Sequence, residues 1–384
     1  MGLRDTLARL AVTRVRVLTV EVAGHWVTRC ALEREMSARG WRRALCAADA
    51  DVLAVCGPPG PEMSTVVEQI WRQLPGPRAR VDIRDAAHAA RELDSAAATL
   101  LDIAGQRVDA RDRPRHPEPA PDSEDGEAGD GDGDGEADMD HDSDHSGMDH
   151  GDMDGDMDMA PEGIPLAQGG EDRDGLEMDT LHLRLGPVLS FWPAALVLRC
   201  SLHGDVIAEA QAWIVDAAGP VGDWTAGRSA TGSVAAAREC DHIHDLLALA
   251  GWARGAVLAR RCRDLLLAGD DRGALPLLER LQRSVRRSGV LRWSLCGVGP
   301  LTERELDRCQ LPAGLSGDAY DRLLERLRIA SGLASKSLRD SPLPGGAVVE
   351  ALPDLVAGLD IAAARLTVAG LGIETSLRAG VGTA

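Results

Sequence analysis

The densest set of potential ligands in the chain lies in one tract, ADMDHDSDHSGMDHGDMDGDMDM, residues 137–159. It offers His141, His145 and His150 together with Met139, Met148, Met153, Met157 and Met159. Thioethers prefer Cu(I), imidazoles take copper, nickel or zinc, and carboxylates add charge. Two readings are open: low-affinity capture of copper or nickel, or a solvated acidic linker, since charge blocks without periodicity stay unfolded. Just upstream, Asp130, Asp132, Asp134 and Gly135 match the opening of a calcium loop, but the twelfth position is His141 in place of a bidentate Glu, and no helices are expected to flank it. Cys240-Asp241-His242-Ile243-His244 could supply ligands, because Cys240 and His244 would share a helix face. No third ligand is evident, and the plain alternative is a helix start capped by Asp241. Gly57-Pro58-Pro59-Gly60 is too proline-rich to present a row of backbone N–H groups to a phosphate, and no Lys follows it.

The elements that must position these residues fall into three parts. Residues 1–110 alternate β-branched runs (RVRVLTVEV, DVLAVCG, RARVDI) with helical stretches (the charged, amphipathic RCALEREMSARGW, then PEMSTVVEQIWRQL and DAAHAARELDSAAATLL). Strands alternating with helices predict a small, doubly wound parallel sheet covered on both faces, with its site-bearing loops at the carboxyl edge. Residues 111–172 are rich in Pro, Asp, Gly and Met, too polar to offset their ordering entropy, and read as a disordered linker. Residues 173–384 begin with extended runs, LHLRLGPV and ALVLRCSLHGDVIAEAQAWIV, joined through a His203-Gly204-Asp205 turn, and pass from Ser233 onward into apolar positions at helical spacing. The expected fold class is thus α/β followed by α+β, the second part a short antiparallel sheet leading into a helical bundle.

Composition narrows the function classes. The formal charge is −19, but 17 carboxylates and no Lys or Arg fall between Asp122 and Asp158, leaving −2 for the rest. A nucleic-acid partner is not expected, because it needs a basic stripe. The early Arg14 and Arg16 and the lack of a small-residue cleavage site speak against a signal peptide. No run reaches the roughly 18 to 20 uninterrupted apolar residues that span a bilayer; the best are cut by Arg254, Arg260 or Asp360. Eight scattered cysteines fit reduced thiols. The expectation is a cytoplasmic protein, at most against the cytoplasmic face of a membrane and reaching it only through partners.

Two patches carry more than composition. In residues 48–83, Val55-Cys56-Gly57, Glu62-Met63, Trp71 and Gln73-Leu74-Pro75-Gly76-Pro77 resemble the B-type subunit of respiratory complex I and the related small subunit of nickel–iron hydrogenases. The run at 185–207 is similar to the amino-terminal hairpin of the D-type subunit, a relative of the hydrogenase large subunit. Gly317, Asp318, Tyr320, Asp321 and Arg322 resemble that subunit's Gly-Asp-x-Tyr-Asp-Arg helix. Together they lie in the order of a B–D fusion. The M-D-H-x-G-M pattern of the acidic tract also resembles the Met/His tails of copper-handling proteins.

For activity the resemblance implies loss. The family holds a [4Fe–4S] cluster with paired cysteines after the first strand; here Val27-Thr28-Arg29-Cys30 has one, and DAAHAAREL after Ile83 has none. The C-x-x-C pairs that hold nickel and iron are absent from the second part. Against the family's histidine-bearing quinone hairpin this chain sets Gly186, Pro187, Val188, Leu189, Ser190, Phe191, Trp192, Pro193 and Ala194, expected neither to donate a hydrogen bond nor to shuttle a proton. The sequence is accordingly read as a structural or docking subunit of a complex-I-like or hydrogenase-like redox assembly, without catalytic or cofactor-binding residues of its own and without an iron–sulfur cluster. The alternatives are a copper- or nickel-handling accessory acting through the insert, and an NADH-quinone-type oxidoreductase subunit with unfamiliar ligands.

Overall fold

The computed structural model describes residues 14–113, 168–171, 177–217, 232–338 and 345–375; for 168–171 and 177–179 only the backbone is described. The acidic tract, with all eight of its candidate ligands from Met139 to Met159, lies outside the described residues.

Four parallel strands open the chain: β1 (Arg16–Glu21), β2 (Arg42–Arg43), β3 (Val52–Cys56) and β4 (Ala79–Ile83), in the order β2-β1-β3-β4. All five residues of β3 are buried, as expected for a central strand covered on both faces. One face packs beneath α1 (Trp26–Arg39) and α3 (Ala89–Leu101), through Val17, Val52, Val81 and Ile83 with Leu32 and Leu93. The other carries α2 (Pro61–Gln73), whose Pro61 opens the helix where no N–H partner is needed. The doubly wound expectation holds. A further helix, α4 (Ile103–Asp112), follows α3 and runs beyond residue 110, where the sequence placed the boundary; Asp102 caps it through the N–H groups of Ala104 and Gly105.

The second sheet is antiparallel: β6 (Glu177–Leu185), β7 (Leu196–His203) and β8 (Val206–Ile214), with the backbone of β5 (Gln168–Glu171) on the β6 edge. Gln168–Glu171 thus pair into the sheet although the sequence reads them as linker. The Gly204-Asp205 turn joins β7 to β8 as expected. Eight α-helices follow among the described residues: α5 (Gly232–Leu249), α6 (Ala253–Leu267), α7 (Asp271–Arg287), α8 (Gly289–Leu295), α9 (Glu303–Arg308), α10 (Ala319–Ala334), and, from the single run 348–372, α11 (Gly346–Val356) and α12 (Ile361–Leu371).

The two halves do not keep separate cores. Ala195, Val197 and Val215 of the second half join Leu53, Val55, Met63 and Val67 on the α2 face of the parallel sheet. Trp26 and Cys30 of α1 pack into the helical bundle with Cys240, Leu247 and Leu323. Asp216, just after β8, caps α2 across the junction: its carboxylate accepts from the N–H groups of Glu62 (3.1 Å) and Met63 (3.0 Å). A Cβ on Gly60 would lie 2.4 Å from that carboxylate, so glycine there lets it approach. The helix N-terminus after the Gly/Pro loop is therefore occupied by the chain's own anion, where a phosphate would have to sit.

Candidate functional site

The site grows from two helices whose polar residues point inward. The charged, amphipathic stretch forms α1 as expected, and its Arg29 and Glu33 are buried. On α5 every residue from Ala236 to His244 is buried, because this helix runs through the centre of the bundle. Asp241, expected to cap a helix start, stands in the middle of α5, 0% exposed. Buried charges persist only when paired, and here they are paired across the junction.

Asp241 accepts from three guanidinium groups: Arg29 at 2.5 Å, Arg238 at 2.8 Å and Arg263 at 2.9 Å. Glu33 accepts from Arg29 (2.8 Å), Arg263 (2.8 Å) and Arg43. Arg29 also donates to Glu21 at the carboxyl end of β1, and Arg238 to Glu374 beyond α12 at 2.9 Å. The sheet half supplies Glu21, Arg29, Glu33 and Arg43; the helical half supplies Arg238, Asp241, Arg263 and Glu374. Burial by itself would raise the carboxyls of Asp241 and Glu33, but the surrounding guanidinium groups outweigh it and hold both well below the usual carboxylate range. Glu21 goes the other way: burial outweighs Arg29 and Arg238, and its carboxyl is raised.

Beside this network lies a partly open recess of about 70 Å³, at the carboxyl ends of β1 and β2. Its walls are Glu21, Arg43, Arg238 and His242 and the β6–β7 loop, which spans the stretch from Pro187 to Ala194. That loop holds Phe191 and Ala195 in left-handed backbone (φ 58° and 59°) and seats Gly186 where a Cβ would lie 2.1 Å from the Leu196 carbonyl oxygen. Phe191 stacks beneath Arg43 (4.8 Å) and tilts against the His244 ring (5.7 Å). The loop side chains were expected to donate no hydrogen bond; Trp192 does, its indole N–H reaching the Leu196 carbonyl at 2.8 Å. The indole fastens the loop onto its own strand and is not offered to the recess.

An imidazole does reach this place, from an element the hairpin comparison did not touch. His242 of α5 lines the recess, and its buried Nε2 has no hydrogen-bond partner among the described residues. Burial first, then Arg238 and Arg326, push its pKa well below the ordinary histidine value, so the ring is neutral. A neutral imidazole, a carboxyl raised by burial and a guanidinium can together hydrogen-bond a small polar molecule. The sequence signal for this was C-D-H-I-H, read for metal; its residues instead separate, His244 to Asp245 (2.8 Å) and Phe191, Cys240 into the apolar core.

Cys30, Cys240 and Cys262 share the core of the bundle, whereas Cys56 and Cys200 lie in two other clusters. Cys30 directs its thiol at Asp241 (3.9 Å), and burial raises the pKa of Cys30, Cys56 and Cys240, and pushes Cys262 up to about 12. Buried in this way, these thiols are held in the protonated form. Among the described residues no group of three His, Cys, Asp or Glu side chains is disposed to hold a metal ion. The family-like Gly317–Arg322 motif has a structural account: Asp318 and Asp321 form a capping box on α10, and Arg322 donates to the carbonyls of Gly317 (2.7 Å) and Gly299 (2.9 Å). No helix among the described residues is long and apolar enough to cross a membrane. In comparisons with known proteins, no family model matches the chain, nor does any curated protein.

Proposed function

We propose that this chain is a structural, docking subunit of a redox assembly of the complex-I-like or hydrogenase-like kind, performing no electron transfer itself. The observation that carries the reading is the buried lattice of Arg29, Glu33, Asp241 and Arg263. It joins the B-like and D-like halves at the junction, next to the single cysteine that stands where the resemblance calls for paired cluster ligands. These four side chains are committed to one another across the junction, and two halves joined in this way suit a docking subunit. The β6–β7 loop, aligned with the family's quinone hairpin, is likewise held by its own indole hydrogen bond and by Phe191 under Arg43.

The test is purification of the tagged full-length chain under mild detergent and without oxygen, with elemental analysis and a visible spectrum. Co-purification of membrane redox subunits with an iron-free, colourless chain is the expected result. Stoichiometric iron and sulfide in the isolated chain would overturn the reading. Recovery of the chain alone, with no redox partner, would count against it. The three histidines and five methionines of residues 139–159 favour a second reading, capture of copper or nickel; metal that disappears on deletion of 122–159 would establish it.

A further inference from the structure

The turn from α7 into α8 carries a surface that nothing among the described residues covers. α7 buries Ala274, Leu278, Leu281 and Val285, and α8 buries Leu291 and Leu295. What these helices turn outward is Arg280, Arg283, Arg286, Arg287 and Arg292, with Val290 and Trp293 bare among them. Val290 is 78% and Trp293 82% exposed, the most exposed large hydrophobics among the described residues. Spaced three apart, they share a face of α8. Between Pro276 and Gly297 the only carboxylate is Glu279, and none of the five arginines forms an ion pair among the described residues. Arg286 and Arg287 suit the carboxyl end of α7; Arg280, Arg283 and Arg292 have no such role.

We infer that this face binds directly to an anionic lipid surface, Val290 and Trp293 entering the headgroup boundary while the arginines meet lipid phosphates and carboxylates. Charge complementarity selects an anionic partner, and two side chains this bare need an apolar phase beyond the charged layer, the arrangement of interfacial helices. A second copy of the chain fits poorly, because a two-fold contact through this patch would set arginine against arginine. A nucleic acid would give Trp293 a base to stack on but leave Val290 in water. The inference goes beyond the subunit reading and rests on different residues; it replaces contact through partners with contact by this chain.

The experiment is flotation of the full-length protein with vesicles containing about 30 mol% phosphatidylserine, against neutral phosphatidylcholine vesicles, at about 0.15 M salt. The expected result is flotation with the anionic vesicles alone, weakening at higher salt, with a blue shift in tryptophan emission. Each arginine near the surface is worth roughly a five-fold gain in partitioning, so R283Q/R287Q is expected to lose about 25-fold. V290S/W293S is expected to lose about ten-fold or more and to abolish the blue shift. These side chains are exposed, and an unchanged circular dichroism spectrum and melting temperature confirm the variants are folded. Three results would overturn the inference: no binding to anionic vesicles, equal binding by wild type and both variants, or binding that emerges only after deletion of residues 122–158. The last would assign the arginine face to that carboxylate-rich segment.

Discussion

Replacing Asp241 with Asn is the most direct probe of the junction. The substitution keeps shape and volume but removes the one negative charge that three guanidinium groups share, and Asp241 is wholly buried. Breaking a buried ion pair by removing one partner costs about 3–5 kcal/mol; here Glu33, Glu21 and Glu374 still pair with the guanidinium groups, but the desolvated network is left one negative charge short. Against a total stability of about 5–15 kcal/mol that is a large fraction, and it corresponds to a fall of about 10 °C in melting temperature for a chain of this size. The pH dependence gives a second, sharper handle. Asp241 and Glu33 are depressed in the folded state, so their contribution is complete above the unfolded carboxylate range, about pH 4, and is lost as pH falls through their folded values. The difference between wild type and D241N in urea denaturation should accordingly be full at pH 7 and shrink below about pH 4. A loss under about 1 kcal/mol at pH 7, or one that persists unchanged in acid, would refute the claim that this network joins the halves.

Four further outcomes follow from the same geometry. Glu33→Gln is expected to cost several times more than Glu21→Gln in parallel denaturation curves, because attraction wins at Glu33 whereas burial wins at Glu21, whose raised pKa opposes folding once it must ionise. Asp216→Ala should lose about 1 kcal/mol of helix capping and speed amide hydrogen exchange at Glu62 and Met63; unchanged exchange there would rule out the cap. Asp318→Ala removes acceptors for Tyr320, Asp321 and Gly297 and should destabilise by about 1–2 kcal/mol, measured by thermal unfolding. His242→Leu should leave stability unchanged or raise it, since an orphaned buried nitrogen is removed; a marked loss would mean that Nε2 has a partner in solution.

How much of this was legible in the sequence depends on whether a feature is local. The parallel sheet and most of its helices could be read because alternating β-branched runs and a 3.6-residue period express local burial, and Gly204-Asp205 marked its hairpin for the same reason. The acidic tract was legible as a charge block, since that is a matter of composition. The site was not. Arg29 and Glu33 look like a solvated i, i+4 pair on any helical projection, and Asp241 looks like a cap. Whether such charges meet water or one another depends on a surface contributed by residues some 200 positions away, and no periodicity within α1 or α5 records it. His242 was noticed for metal chemistry, yet only the packing of α5 beneath the β6–β7 loop makes it a neutral, unpartnered imidazole in a recess. The sequence by itself determined most of the segments that become strands and helices, and which thiols and imidazoles exist to be used. The tertiary structure alone decided which charges are desolvated, because desolvation comes from atoms distant in the chain.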